Sequence, residues 1–325
     1  MSLVNFSLDF LSFFLKAVTV VLAIAAIIAI KAKNSPQPVL FELINKNRIK
    51  TTMSNLDQIF KSPAAKSKKK ELKLALKKID KLTENLFIIS FKGDVKASEV
   101  SSLRDIVSAI IEIAMPGDRV LLQLESPGGQ VAAYGLAASQ MARFRNKNIH
   151  VTVAIDQVAA SGGYLIAAVA DNIIAAPFAI IGSIGVILQA PNINKLLKKN
   201  NVDVVELTAG KYKRTLTTLG ENTSEGKEKA QEQLENIHEN FKNHVASHRP
   251  EVAIDQVATG EVWLAKEALA LKLVDTIQTS DDFIMESLNK YRVIKVSKTL
   301  KKSKIQCLQG FCESLFANLT SNKIY

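Results

Sequence analysis

The sequence predicts an α/β domain built on a mostly parallel sheet and preceded by a transmembrane helix. Three observations carry that prediction. From residue 85 onward, short β-rich runs alternate with runs of helical period. Two successive strand ends carry paired glycines, in "ESPGGQ" and "VAASGGYL". Residues 10–30, "FLSFFLKAVTVVLAIAAIIAI", are apolar apart from Ser12, Lys16 and Thr19, which is enough helix to cross a bilayer core.

The totals agree. A chain of 325 residues can bury a substantial core, which excludes disorder as its main state. Its net charge of +11 is uneven, because Lys66, Lys68, Lys69, Lys70, Lys73, Lys77, Lys78 and Lys81 crowd into one segment. Only two cysteines occur, Cys307 and Cys312, so neither a disulfide framework nor a cysteine-rich metal site is available.

Taken in order, residues 1–33 read as an anchor. A cleavable signal peptide is the competing reading, but "KAKNSPQP" offers no clean small-x-small cleavage site. Residues 34–84 read as a basic connector in which Leu72, Ala75, Leu76, Ile79 and Leu82 form a helical stripe among lysines. Such a helix suits acidic lipid headgroups, and equally a leucine stripe packed on its own domain. Nucleic acid is the poorer candidate and is not expected as a partner, since no aromatic platform interleaves with the lysines.

Residues 85–295 read as the main domain. Strands are expected at 85–93, 119–126 and 149–156, with helices at 98–114 and 130–145 between them. Such repetition implies right-handed βαβ crossovers, with ligands bound at the C-terminal ends of the strands. The apolar run 173–188 contains Pro177, Gly182, Ser183 and Gly185, so it reads as buried core and not as a second span. "NVDVVELTAGKYKRTLTT" reads as a strand ending in a polar loop. A long helix follows at 224–247, with Ala230, Leu234, Ile237, Phe241 and Val245 on one face. Residues 296–325 form a tail in which Leu308, Phe311, Leu315 and Phe316 outline a short amphipathic helix.

The glycine pairs free backbone amides to face a ligand or a developing oxyanion. Ser161, between them, is a candidate nucleophile that needs a base. Histidine is poorly placed to serve. His150 starts a strand, at the wrong end, and His238, His244 and His248 read as a solvated helix face; the 244/248 pair lacks the glutamate of a metallopeptidase helix, so no metal is expected. A lysine held neutral by burial and by neighbouring positive charge is the remaining base, and Lys213, with Lys211 and Arg214 beside it, meets those conditions in principle. A plain surface lysine is the alternative.

"ESPGG", "VAASGGYLIAAVADNIIAAPFAIIGSIGV" and "TAGKYKRT", followed by "VATGEVWLAKEALALKLVDTI", resemble the SppA/SohB family of membrane-bound signal peptide peptidases, and its SohB branch most. That resemblance implies a ClpP/crotonase-type βαβ superhelix and a Ser/Lys dyad, with Ser161 as nucleophile and Lys213, 52 residues later, as general base. It further implies that Ser183 orients the lysine and that the amides of Gly128 or Gly129, with Gly162, form the oxyanion hole. No metal or organic cofactor is implied. A homo-oligomeric ring is implied, as are peptide or protein substrates with apolar segments, such as leftover signal peptides.

The resemblance places the catalytic domain outside the bacterial inner membrane, whereas Lys31, Lys33, Lys46, Arg48 and Lys50 after the span favour the cytoplasm; we follow the resemblance. Two other functions compete: a non-proteolytic crotonase-like protein acting on acyl thioesters, whose paired carboxylates are not evident beyond Glu125 and Asp156, and an inactive membrane scaffold.

Overall fold

The structure is a computed structural model that describes residues 38–59 and 63–298, with side chains for all of these except 55–59 and 63–66. The expected transmembrane helix and the tail carrying Cys307 and Cys312 lie outside the described residues. Among the described residues, no helix is long and apolar enough to cross a membrane. Residues 40–297 form one compact unit; of the second unit, residues 1–39 and 298–325, only Pro38, Val39 and Lys298 are described.

The main sheet has seven strands: β1 (Val39–Leu43), β2 (Asn85–Lys92), β3 (Arg119–Glu125), β4 (His150–Ile155), β6 (Asn172–Ala175), β9 (Thr276–Ile277) and β10 (Arg292–Lys298), in the order β1-β10-β2-β3-β4-β6-β9. From β10 through β9 every pairing is parallel, as the alternation of strands and helices predicts. Parallel strands are covered on both faces, which is why β2 to β4 read as apolar runs without polar alternation. Leu86 to Ile89, Val120 to Leu122 and Val151 to Ile155 are all buried. A second sheet, β5 (Val158–Ala160), β7 (Ile180–Gly182) and β8 (Val262–Leu264), branches off beyond β4.

The crossovers place α3 (Val100–Ile113) between β2 and β3 and α4 (Val131–Arg145) between β3 and β4. Leu103, Ile106, Val107 and Ile110 bury one side of α3, and Tyr134, Ala137, Ala138, Met141 and Phe144 one side of α4. The connector folds as α1 (Ile44–Ile59) and α2 (Pro63–Ile79). Asn45 docks it on the sheet: its amide donates to the carbonyls of Leu288 (2.9 Å) and Tyr291 (3.0 Å), and its oxygen accepts from the Val293 N–H (2.6 Å). Leu72, Ala75, Leu76 and Ile79 turn inward, while Lys73, Lys77 and Lys78 stay exposed.

The long helix appears as α7 (Ser224–His248), its first turn capped by Thr223 Oγ1, which accepts from the Gly226 N–H at 3.0 Å. Three shorter helices, α8 (Ile254–Val257), α9 (Ala265–Ala270) and α10 (Ser280–Ser287), complete the C-terminal part. The run 173–188 supplies β6 and β7 and no span, as its composition predicts.

One expectation fails. Residues 202–208 form no strand; beyond α6 (Asn194–Lys199) the chain runs irregular and exposed, with Val205 at 84% and Leu207 at 91% accessibility. The apolar pattern is that of a strand, but a strand exists only where a neighbour takes up its N–H and C=O groups, and no described strand lies beside it.

Candidate active site

Ser161 sits where β5 ends and α5 (Gly162–Ala167) begins. Its backbone has φ 51° and ψ −120°, a conformation that costs a non-glycine residue about 1–3 kcal/mol and persists only where the surroundings enforce it. Two bonds do so: the Ser161 N–H donates to the Gly182 carbonyl (2.8 Å), and its carbonyl accepts from the Leu165 N–H (3.0 Å). The half-exposed side chain lines a cavity of about 590 Å³ between α4, α5 and α7.

The other glycine loop, residues 126–130, lies directly against this turn. Ser126 and Ala160 bond through their backbones, and Gly128 has φ +94°. A Cβ on Gly128 would stand 2.7 Å from the Cβ of Ser161 and 2.8 Å from the Gly162 nitrogen. The turn therefore needs glycine for both conformation and space. Gly129 is packed against the Val95 carbonyl just as closely, and Gly162 against the Tyr134 ring.

These contacts discriminate among the three predicted oxyanion donors. The Gly128 N–H already donates to Ser126 Oγ at 3.1 Å. Gly129 and Gly162 line the cavity beside Ser161, and no described acceptor takes their N–H groups.

Behind the loop runs an ordered chain of hydroxyls that the sequence did not single out. Tyr134 Oη donates to the Asp94 carbonyl (2.8 Å), so Ser126 Oγ donates to Tyr134 Oη (2.5 Å) while accepting from Gly128. Both side chains are fully buried, and burial pushes the Tyr134 phenol above its ordinary value, so it stays protonated. A Cβ on Gly93 would collide with both hydroxyls, and one on Gly163 with Ser126. The only signal in the sequence was the serine inside "ESPGG"; nothing local pointed to a tyrosine eight residues on.

Ser183 also adopts positive φ, 51°, and its N–H donates to the Glu261 carbonyl (2.5 Å). It follows Gly182, the backbone partner of Ser161, and precedes Gly185 on the cavity wall.

Lys213 is placed differently. It lies exposed on the loop between α6 and α7, in a turn closed by its own N–H to the Gly210 carbonyl (3.1 Å), and is not among the residues lining the cavity. The positive neighbours expected to bear on it are paired: Lys211 with Glu225 (2.8 Å) and Arg214 with Glu206 (2.7 Å).

The histidines of α7 depart from the solvated face expected of them. His244 and His248 both line the Ser161 cavity, and His244 Nε2 bonds the Leu165 carbonyl at 2.9 Å. The stripe Ala230, Phe241 and Val245 is buried, and this rotation turns the histidine side of the helix toward α5. His150 does lie at the start of β4, away from the strand ends that build the site.

The two carboxylates at the glycine loops are also taken up. Glu125 pairs with Lys92 (2.7 Å), and Asp156 accepts from the Ser280 N–H (2.8 Å) and hydroxyl (2.6 Å).

Two family models match the chain: Peptidase family S49 over residues 143–293, and Peptidase family S49 N-terminal over residues 5–141. A probable protease SohB of Buchnera aphidicola subsp. Schlechtendalia chinensis is 50% identical over 253 residues, covering 75% of this chain and 83% of that protein. The chain belongs to peptidase family S49. A second relative, the probable protease SohB of Haemophilus influenzae, is 54% identical over 221 residues; the match covers 68% of this chain and spans 63% of that protein's length. A solved structure, the 1510-N membrane-bound stomatin-specific protease, aligns with TM-score 0.43 at 14% identity over 67% of this chain and all of its own.

Proposed function

We propose that this S49 chain is a membrane-anchored serine endopeptidase with Ser161 as nucleophile and Lys213 as general base. The observation that carries the reading is the Ser161 turn: a serine held in a strained conformation, open to a cavity, between two glycine amides without acceptors. Ser161 Oγ attacks a peptide carbonyl and its proton passes to the Lys213 amine. The N–H groups of Gly129 and Gly162 stabilise the tetrahedral oxyanion, the leaving amine takes the proton, and water then hydrolyses the acyl ester with the lysine again as base. Ser183 orients the lysine. The chemistry requires no metal or organic cofactor.

Because Lys213 is exposed in the single chain, the dyad is completed by assembly, in a homo-oligomeric ring that buries the 202–208 segment and brings the lysine loop of one copy to the cavity of the next. The exposed, strand-patterned Val202, Val204, Val205 and Leu207 support this reading. Residues 1–33 anchor the chain in the bacterial inner membrane, 34–84 connect, 85–295 carry catalysis outside that membrane, and 296–325 form the tail. The exposed lysines of α2 contact acidic lipid headgroups while Leu72 and Leu76 pack inward. The substrates are apolar segments such as leftover signal peptides or misfolded membrane-associated proteins. Against thioester chemistry stand the occupied carboxylates of Glu125 and Asp156.

Cleavage of a quenched signal-peptide-like substrate by the detergent-purified chain tests the reading. Wild type should cut, and Ser161→Ala and Lys213→Ala should each lose at least a thousandfold in kcat. Mixing the two inactive variants should restore part of the activity if the dyad is shared between copies. Equal activity of wild type and Ser161→Ala would overturn the assignment.

A further inference from the structure

The cavity at Ser161 has walls of Ala138, Ala142, Leu165, Ile237 and Phe241; away from Ser161 its polar side chains are Ser139 and Asn240, which donate back to the Gly135 (2.8 Å) and Asn236 (2.7 Å) carbonyls of their own helices, and two imidazoles. His244 and His248, one turn apart on α7, have ring centroids 4.5 Å from each other. The chemistry assigned to Ser161 uses neither ring.

Their hydrogen bonds fix which nitrogen of each ring donates. His244 Nε2 stands 2.9 Å from the Leu165 carbonyl oxygen. A carbonyl only accepts, so Nε2 is the donor and Nδ1 keeps the lone pair. His248 Nδ1 stands 2.8 Å from the His244 carbonyl and 3.1 Å from Ser247 Oγ, whose own proton goes to that carbonyl at 2.9 Å, so Nδ1 is the donor and the neutral tautomer carries its lone pair on Nε2. Burial, aided by the neighbouring His248 and opposed by the Leu165 bond, holds the His244 pKa below its ordinary value and the ring neutral at neutral pH. At the α7 side of the pocket, each imidazole thus spends its own N–H on a backbone carbonyl and offers an acceptor to whatever enters.

We propose that His244 and His248 form a substrate subsite selecting a side chain with a donor at its tip, an aromatic hydroxyl or an indole N–H. This rests on Ser161 being the nucleophile, since a peptide whose scissile carbonyl lies at Ser161 sends a flanking side chain into the same cavity. A tyrosine or tryptophan fits the volume and returns the hydrogen bond that water loses on binding. A phenylalanine or leucine strips water from the imidazoles without replacing it, and a carboxylate meets lone pair with lone pair.

The test is fluorescence anisotropy on the full-length Ser161→Ala chain in detergent, with short apolar peptides differing only by Tyr or Phe, the pair being moved along the peptide. At one position the Tyr peptide should bind about tenfold more tightly. The preference should vanish when His244→Phe and His248→Phe are added, and return in part with His244→Gln and His248→Gln, which keep acceptors. Equal binding of Tyr and Phe at every position, no binding of any peptide, or a Tyr preference that survives both Phe substitutions would overturn the subsite. Parallel cleavage by wild type separates the two readings. A Tyr preference in binding without any cleavage would sink the peptidase and leave the histidines as part of a peptide-binding pocket, no longer a substrate subsite; cleavage with no preference would keep the peptidase and sink the subsite.

Discussion

Tyr134 and Ser126 lie a layer behind the Ser161 turn, yet they hold the Gly128 peptide in place. The chain from the Gly128 N–H through Ser126 and Tyr134 to the Asp94 carbonyl leaves each hydroxyl a single orientation. Their role is positioning: with Gly128 fixed, the next amide, Gly129, faces the cavity. Tyr134→Phe keeps the ring and removes the link, so kcat should fall about tenfold with KM nearly unchanged, a smaller loss than removing an oxyanion donor outright. Ser126→Ala should lower kcat further, because it also strips the Gly128 amide of its acceptor. A loss confined to thermal stability, with kcat intact, would show that the pair only packs. At the same scale the sequence exposed Ser161 and its glycines through their local pattern. It hid Tyr134, and it misread His244 and His248, because which face of α7 meets α5 is decided by contacts far away in the chain.

At the scale of elements, one device recurs along the sheet. The aspartate immediately before β3, β6 and β9 caps the beginning of the strand beside it. Asp118 accepts from the Asn85 N–H (2.7 Å), Asp171 from Val151 (2.8 Å) and Asp275 from Ile173 (2.7 Å). Each thereby sets the register of a parallel pair whose hydrogen bonds alone specify it weakly. Asp275 has a second task, pairing bidentately with Arg249 at 2.6 and 2.9 Å, where the arginine side chain is only 10% accessible. Asp275→Ala should therefore destabilise the fold by about 2–3 kcal/mol, reflecting a buried guanidinium without its partner and a lost strand cap. Urea unfolding measures it, and a change below 0.5 kcal/mol would contradict the double role. The failed strand at 202–208 belongs to this scale too: β-patterning fixes the propensity of a segment, while pairing depends on what stands beside it.

For the whole molecule, burial sets the pH dependence of stability. His244 and His150 both have pKa values lowered chiefly by desolvation, so the unfolded chain takes up protons near pH 6.5 that the folded chain does not. The unfolded state binds more protons in that window, and stability falls as pH drops below about 6.5 toward the lowered folded values. Above it the contribution is constant. Thermal melts should give a flat midpoint between about pH 7 and 8 and a decline toward about pH 5. His244→Phe should flatten part of that decline, and an unchanged slope would place the titration elsewhere.

The sequence by itself determined the parallel α/β class, the order of its central strands and helices, and the serine turn with its glycine neighbours. Those features are local: periodicity, β-branched runs and residues that tolerate positive φ act within a few positions of one another. Only the tertiary structure decided which glycine amides remain free, which hydroxyls lock them, that two histidines face the serine's cavity, and that Lys213 stays outside it in a single chain. Each of those depends on groups brought together across the fold, Gly128 on Ser161 or Leu165 on His244, and no spacing along the chain encodes such a distance.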